Sequence, residues 1–152
     1  LLQWFNDPEV TQYLSTYLPL MRLEEKEWLT KLQKEKQNHL VFGIVVRKGN
    51  VHIGTVGLHS IHGRNRTATL GISIGNKRYW NKGHGTEAMQ LLVHYAFTVL
   101  NLRKVCLSVT SFNDRARHVY EKCGFVIEGY RKQQLFARGQ YQDEVLMAIF
   151  RE

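Results

Sequence analysis

The sequence predicts a mixed α+β fold, a mostly antiparallel sheet with helices on both faces. Three observations carry that prediction. TATLGISI (67–74) alternates Ala68, Leu70, Ile72 and Ile74 with small or polar residues, the period of a strand with one buried face. LVFGIVVRKGNVHIGTVGL holds two apolar runs joined at Gly49-Asn50, residues tolerant of the positive φ a hairpin turn needs. The later segments run helix, strand, helix, strand, strand, which implies a crossover joining strands of one sheet.

The elements follow in order. Asn6-Asp7-Pro8 offers a cap and a first-turn proline, and Val10, Tyr13, Leu14 and Leu18 then recur at helical spacing. A second helix is expected from about Leu23 to Lys36, with Leu23, Trp28, Leu29 and Leu32 on one side. The hairpin and the TATLGISI strand come next. From His84 to Leu100, Ala88, Leu91, Leu92, Tyr95, Ala96 and Val99 form an apolar helical stripe. KVCLSVT is a strand, Asn113 to Cys123 is a short helix stopped by Gly124, and strands near 125–136 and 141–150 meet at the turn ARGQ.

A chain of 152 residues with 43% hydrophobic content is expected to form one domain, and its two prolines mark no linker. No apolar run approaches the roughly 20 residues that span a bilayer, so a soluble protein without a membrane partner is expected. Cys106 and Cys123 are too few and too isolated for a disulfide framework or a zinc site. The expectations are therefore a reducing cytoplasm and no metal. The net charge of +8 favours an anionic partner such as a phosphate-rich ligand, yet it equally describes a solvated basic surface. Because no recognition motif for DNA or RNA is visible, nucleic acid is not expected as a substrate.

RYWNKGHGTEAM (78–89) carries the first chemical signal. GHGTEA matches GxGxxA, the dinucleotide fingerprint. However, eight residues (75–82) separate Ile74 from Gly83, and no acidic residue stands about 20 positions further on. What the segment offers is a helix N-terminus at Gly83, His84, Gly85 and Thr86 whose first N–H groups lack helical partners. The two glycines let an anion approach that backbone, and Lys82 adds charge beside it. A pyrophosphate fits such a cradle.

The second signal is NDRARHVYEKCGF (113–125), with Asn113 opening a helix that carries Ala116 and Tyr120 four residues apart. WNKGHGTEA followed by NxxAxxxYEKxGF resembles the GNAT superfamily of acetyl-CoA-dependent N-acetyltransferases. WFNDPEV and EGYRKQQLFARGQYQDEVLMAI are similar to the branch of ribosomal-protein N-terminal acetyltransferases, the latter also to spermidine acetyltransferases. The resemblance implies acetyl-CoA as cosubstrate, its pyrophosphate on residues 82–86 and its pantetheine arm beside Asn113 and the splayed edge of Ile72, Ser73 and Ile74. It implies Tyr120 near the thiol, the first two helices as the acceptor wall, and a further strand before the first helix; its absence suggests a truncated sequence.

Acetyl transfer to an amine whose pKa is near 10 requires a base, because the ammonium is no nucleophile. Related sequences often carry Glu where this chain has Thr69; the base is then His59, His62 or a water chain. Tyr120 is the candidate acid for the leaving thiolate. The expected acceptor is a peptide N-terminus, an amino sugar or another small amine, by direct transfer, and a homodimer is a further expectation. The competing classes are a CoA-binding sensor or scaffold without turnover and a nucleotide-dependent oxidoreductase.

Overall fold

The computed structural model describes residues 1–152. Two four-residue helices, α1 (Leu2–Phe5) and α2 (Pro8–Thr11), precede α3 (Arg22–Lys34), and a hairpin and third strand follow as β1 (Leu40–Val46), β2 (Val51–His62) and β3 (Thr67–Ile74). A 3₁₀ turn at Lys77–Tyr79 leads to α4 (His84–Thr98), then β4 (Lys104–Thr110), α5 (Asp114–Lys122), β5 (Val126–Ala137) and β6 (Gln140–Phe150). All six strands form one sheet in the order β1-β2-β3-β4-β6-β5. Only β3 and β4 are parallel, so the predicted mixed, mostly antiparallel sheet is the one found.

Turn chemistry sets the hairpins. Gly49 (φ +83) and Asn50 (φ +52) turn β1 into β2, and Arg138 (φ +55) with Gly139 (φ +75) makes the two-residue turn between β5 and β6. The sheet buries Leu58, Leu70, Val105, Leu107 and Met147 against Met89, Leu92, Val93 and Ala96 of α4. A fully buried Leu such as Leu58 contributes roughly 2 kcal/mol by area alone. The N-terminal segment covers part of the other face, with the Trp4 indole occupying the space a side chain at Gly75 would need and His39 against His59.

Two expectations are corrected. The first helix stops at Thr11 and does not continue through Tyr13, Leu14 and Leu18. Asn6 clasps Leu20 instead, its amide donating to the Leu20 carbonyl (2.9 Å) and its oxygen accepting from the Leu20 N–H (2.7 Å). This pair folds residues 12–20 back as a loop and leaves Leu18 64% exposed. On α4 the buried stripe is Met89, Leu92, Val93 and Ala96, whereas Leu91 and Val99 are exposed at 65% and 62%. The helix carries two overlapping apolar arcs, and the sheet takes the one rotated toward Met89.

The feature that positions the site is a break between the parallel strands. β3 and β4 pair only at Thr67–Lys104, Ala68–Val105 and Thr69–Cys106. Beyond that point β3 stays paired to β2 as far as Ile74, and β4 to β6 as far as Thr110. The facing edges of 70–74 and 107–110 therefore diverge into a wedge.

Candidate active site

A cavity of about 200 Å³ opens at this wedge. The diverging edge contributes Ile72, Ser73 and Ile74, and the loop and first turn of α4 contribute Lys82, Gly83, His84, Gly85 and Thr86. Asn113, Ala116, Val119 and Tyr120 of the α5 segment close it, and Val10, Tyr13 and Leu14 form a further wall. All ten residues singled out as catalytic or cofactor-binding thus line one cavity.

Local chemistry explains each position. Gly83 is the N-cap of α4 with φ +82, a conformation costly for any residue with a side chain. The first helical hydrogen bond runs from Glu87 N–H to Gly83 C=O (3.0 Å), so the N–H groups of His84, Gly85 and Thr86 have no helical partner. A Cβ at Gly85 would stand 3.9 Å from Ile72 and 4.0 Å from Ile74, in the gap between helix and strand. The unpartnered N–H groups and the helix dipole suit an anion there.

Asn113 is buried, and its Oδ1 accepts from Ala116 N–H (3.2 Å) as the N-cap of α5. Its amide NH₂ makes no hydrogen bond within the chain, and Asn113 lines the cavity. Tyr120 is largely buried beside Phe125, at 6.4 Å between ring centroids. Burial, with a smaller contribution from Cys123, pushes its phenol up to about 12, so it stays protonated at every physiological pH. The Cys123 thiol donates weakly to Thr86 C=O (3.8 Å), which ties α5 to the first turn of α4. Burial raises both Cys123 and Cys106, which makes them poor nucleophiles.

The cavity is cationic and lined by no carboxylate. Lys82 lies over the Tyr79 ring (5.5 Å), and Arg115 lies over Trp80 (4.6 Å) and Tyr13 (5.7 Å). Arg138 continues the stack over Phe112 (4.3 Å), joining the β5–β6 turn to the N-terminal loop. Sequence reasoning missed Trp80, Arg115 and Tyr13, although two of them stand inside the quoted motifs.

The histidines separate. His62 sits opposite Thr67, seven residues along β3 from Ile74 and so about 20 Å away, with its Nδ1 engaged by Asn65 N–H (3.1 Å). His59 stands opposite Thr69, and its Nε2 lies 3.5 Å from where a side chain at Gly71 would be. Burial first, and neighbouring His39 second, lower its pKa below the ordinary imidazole value. The acids of α3 stay outside the cavity. Glu24 caps its helix on Met21 N–H (2.8 Å), and neither Glu24 nor Glu25 lines the cavity.

Comparison with known proteins places this arrangement. Residues 1–126 match the acetyltransferase (GNAT) domain family. The chain is 41% identical to the spermidine N(1)-acetyltransferase of Escherichia coli over 97 residues, 64% of this chain and 52% of that protein. The match therefore spans about half the length of that relative. An uncharacterized N-acetyltransferase, p20 of Bacillus licheniformis, is 29% identical over 155 residues, 99% of this chain and 85% of that protein. In three dimensions the chain resembles the crystal structure of spermidine N-acetyltransferase from Vibrio cholerae in complex with CoA and spermine. The TM-score is 0.88 at 30% identity, over 98% of this chain and 86% of that one.

Proposed function

Because the chain belongs to the acetyltransferase (GNAT) domain family, we propose that residues 1–152 act as one domain that transfers the acetyl group of acetyl-CoA directly to a primary amine. One observation carries the reading. Partnerless helix N–H groups, an unpaired strand edge, the Asn113 amide and the Tyr120 hydroxyl converge on a single cavity.

Each group has a task there. The N–H groups of His84, Gly85 and Thr86, with Lys82, hold the pyrophosphate. The edge of Ile72–Ile74 and the Asn113 amide pair with the pantetheine amides, and preorganised backbone N–H groups meet the oxyanion that forms at the thioester carbonyl. Tyr120 gives its proton to the departing thiolate, a role supported by its place in the cavity lining and its protonated phenol.

The acceptor class the cavity supports best is an amine on a neutral or anionic carrier, such as a peptide N-terminus or an amino sugar. Lys82 and Arg115 line the cavity, and no carboxylate is present to neutralise a polycation. A polyamine is the second reading, favoured by the likeness to spermidine acetyltransferases. A CoA-release assay over peptides, amino sugars and spermidine separates them. Release with peptides or amino sugars and none with spermidine supports the first, the reverse pattern supports the second, and acetyl-CoA binding without release from any amine identifies a sensor.

A further inference from the structure

Direct transfer leaves one proton without a destination. The acceptor ammonium must lose it before attack, Tyr120 serves the leaving thiolate, and the cavity offers no carboxylate. Two clusters of titratable groups lie near the wedge: Lys77 with Asp7 and Glu9, already closed on one another as ion pairs beyond Ile74, and a group of histidines on the sheet face opposite α4, outside the cavity lining. His59 is paired with Thr69, the last β3 residue bonded to β4, and projects over Gly71 on the free edge beyond it. Ser60 beside it adopts φ +48, and the β2–β3 register breaks between His59 and His62, a bulge of the kind that re-aims a side chain. The His39 ring lies 5.5 Å from His59, and His39 Nε2 is 3.8 Å from Glu35 Oε2 at the end of α3. Ile61 N–H donates to Asn38 C=O (3.0 Å), which fastens the His39 segment to β2.

Resting on the acetyltransferase reading, we propose that His59 accepts the proton of the acceptor ammonium and that His39 and Glu35 pass it to solvent. The balance closes. One N–H bond of the ammonium breaks toward His59, and the freed amine attacks the thioester carbonyl. The C–S bond then breaks, and the thiolate takes the Tyr120 proton. The nitrogen's second proton, released as the amide forms, restores the Tyr120 hydroxyl. One proton leaves for each acetyl group transferred.

The environment suits this role. Burial and the neighbouring His39 hold His59 below the ordinary imidazole value, so it is neutral at pH 7 and open to a proton. His39 is the titratable neighbour on the packed segment, Glu35 stands behind it, and Thr69 across the strand carries no charge. Gly71 leaves the ring room to cover the strand.

The test uses the whole chain with acetyl-CoA and two probe amines, spermidine and an alanyl peptide. The wild type should show a kcat that falls on the acid side with the pKa of His59, read independently by NMR. His59→Gln should lower kcat at least tenfold and remove that acid limb without changing acetyl-CoA affinity. His39→Gln removes the neighbour that helps hold His59 down and should move the limb, and the His59 resonance, to higher pH. A His59→Gln enzyme with unchanged kcat and acid limb overturns the relay, as does a loss confined to acetyl-CoA affinity. Acetyl-CoA binding without release from any amine in the wild type overturns the acetyltransferase reading itself and the relay with it.

Discussion

Trp80 Nε1–H donates to the carbonyl oxygen of Ile74 across 2.6 Å. Ile74 ends β3, and Trp80 lies just ahead of Gly83, so this bond holds the loop of the proposed anion cradle in register with the free strand edge. Trp80→Phe keeps a ring under Arg115 and deletes only the donor. It should cost about 1 kcal/mol of stability and weaken acetyl-CoA binding several-fold. Urea denaturation and calorimetry on the variant check both effects.

The two cradle glycines should respond in opposite ways. Gly83→Ala forces a side chain into φ +82 and should destabilise by roughly 1–2 kcal/mol. Gly85→Ala sits in helix with ordinary contact distances to Ile72 and Ile74, so stability should hold or rise by up to about 1 kcal/mol. Its methyl narrows the gap between helix and strand, and acetyl-CoA affinity should still fall. Thermal melts paired with ligand titration read this divergence.

Asn113 combines a cap and a free amide. Asn113→Asp keeps the oxygen that accepts from Ala116 N–H and loses the NH₂, whereas Asn113→Ala loses both. The Asp variant should melt near the wild type, and the Ala variant should lose about 1 kcal/mol. Acetyl-CoA should bind both more weakly. Equal affinity in wild type and Asp variant would show that the amide does not meet the ligand.

Tyr120→Phe should reduce kcat by roughly 10²-fold or more and change acetyl-CoA affinity less than about twofold. The phenol also makes an alkaline prediction. The unfolded side chain ionises near pH 10 and the folded one near 12, so between those values the unfolded state holds fewer protons and stability falls as pH rises. Tyr120→Phe should therefore shrink the drop in melting temperature above pH 10.

Much of this fold and site is legible in the sequence. The strands were readable because alternation has a strict period of two, and Gly49-Asn50 and Arg138-Gly139 mark turns that need positive φ. The two motifs named the residues that meet at the cavity, since their chemistry is carried by short local segments. Helix phase was less legible. Leu91 and Val99 fit a helical period as well as Met89 and Val93 do, and only the position of the sheet decides between the arcs. The N-terminal loop escaped because its organiser is a side-chain clasp from Asn6 to Leu20, which leaves no periodic trace. His39 and His59 are twenty residues apart in sequence, and the fold makes them neighbours.

The most direct measurement is calorimetric titration of the chain with acetyl-CoA and, separately, with NAD. One acetyl-CoA site per chain is expected, displaced by CoA and weakened in Gly85→Ala and Asn113→Asp, with no heat from NAD. Saturable NAD binding without acetyl-CoA binding would contradict it, because the cradle would then hold a different pyrophosphate.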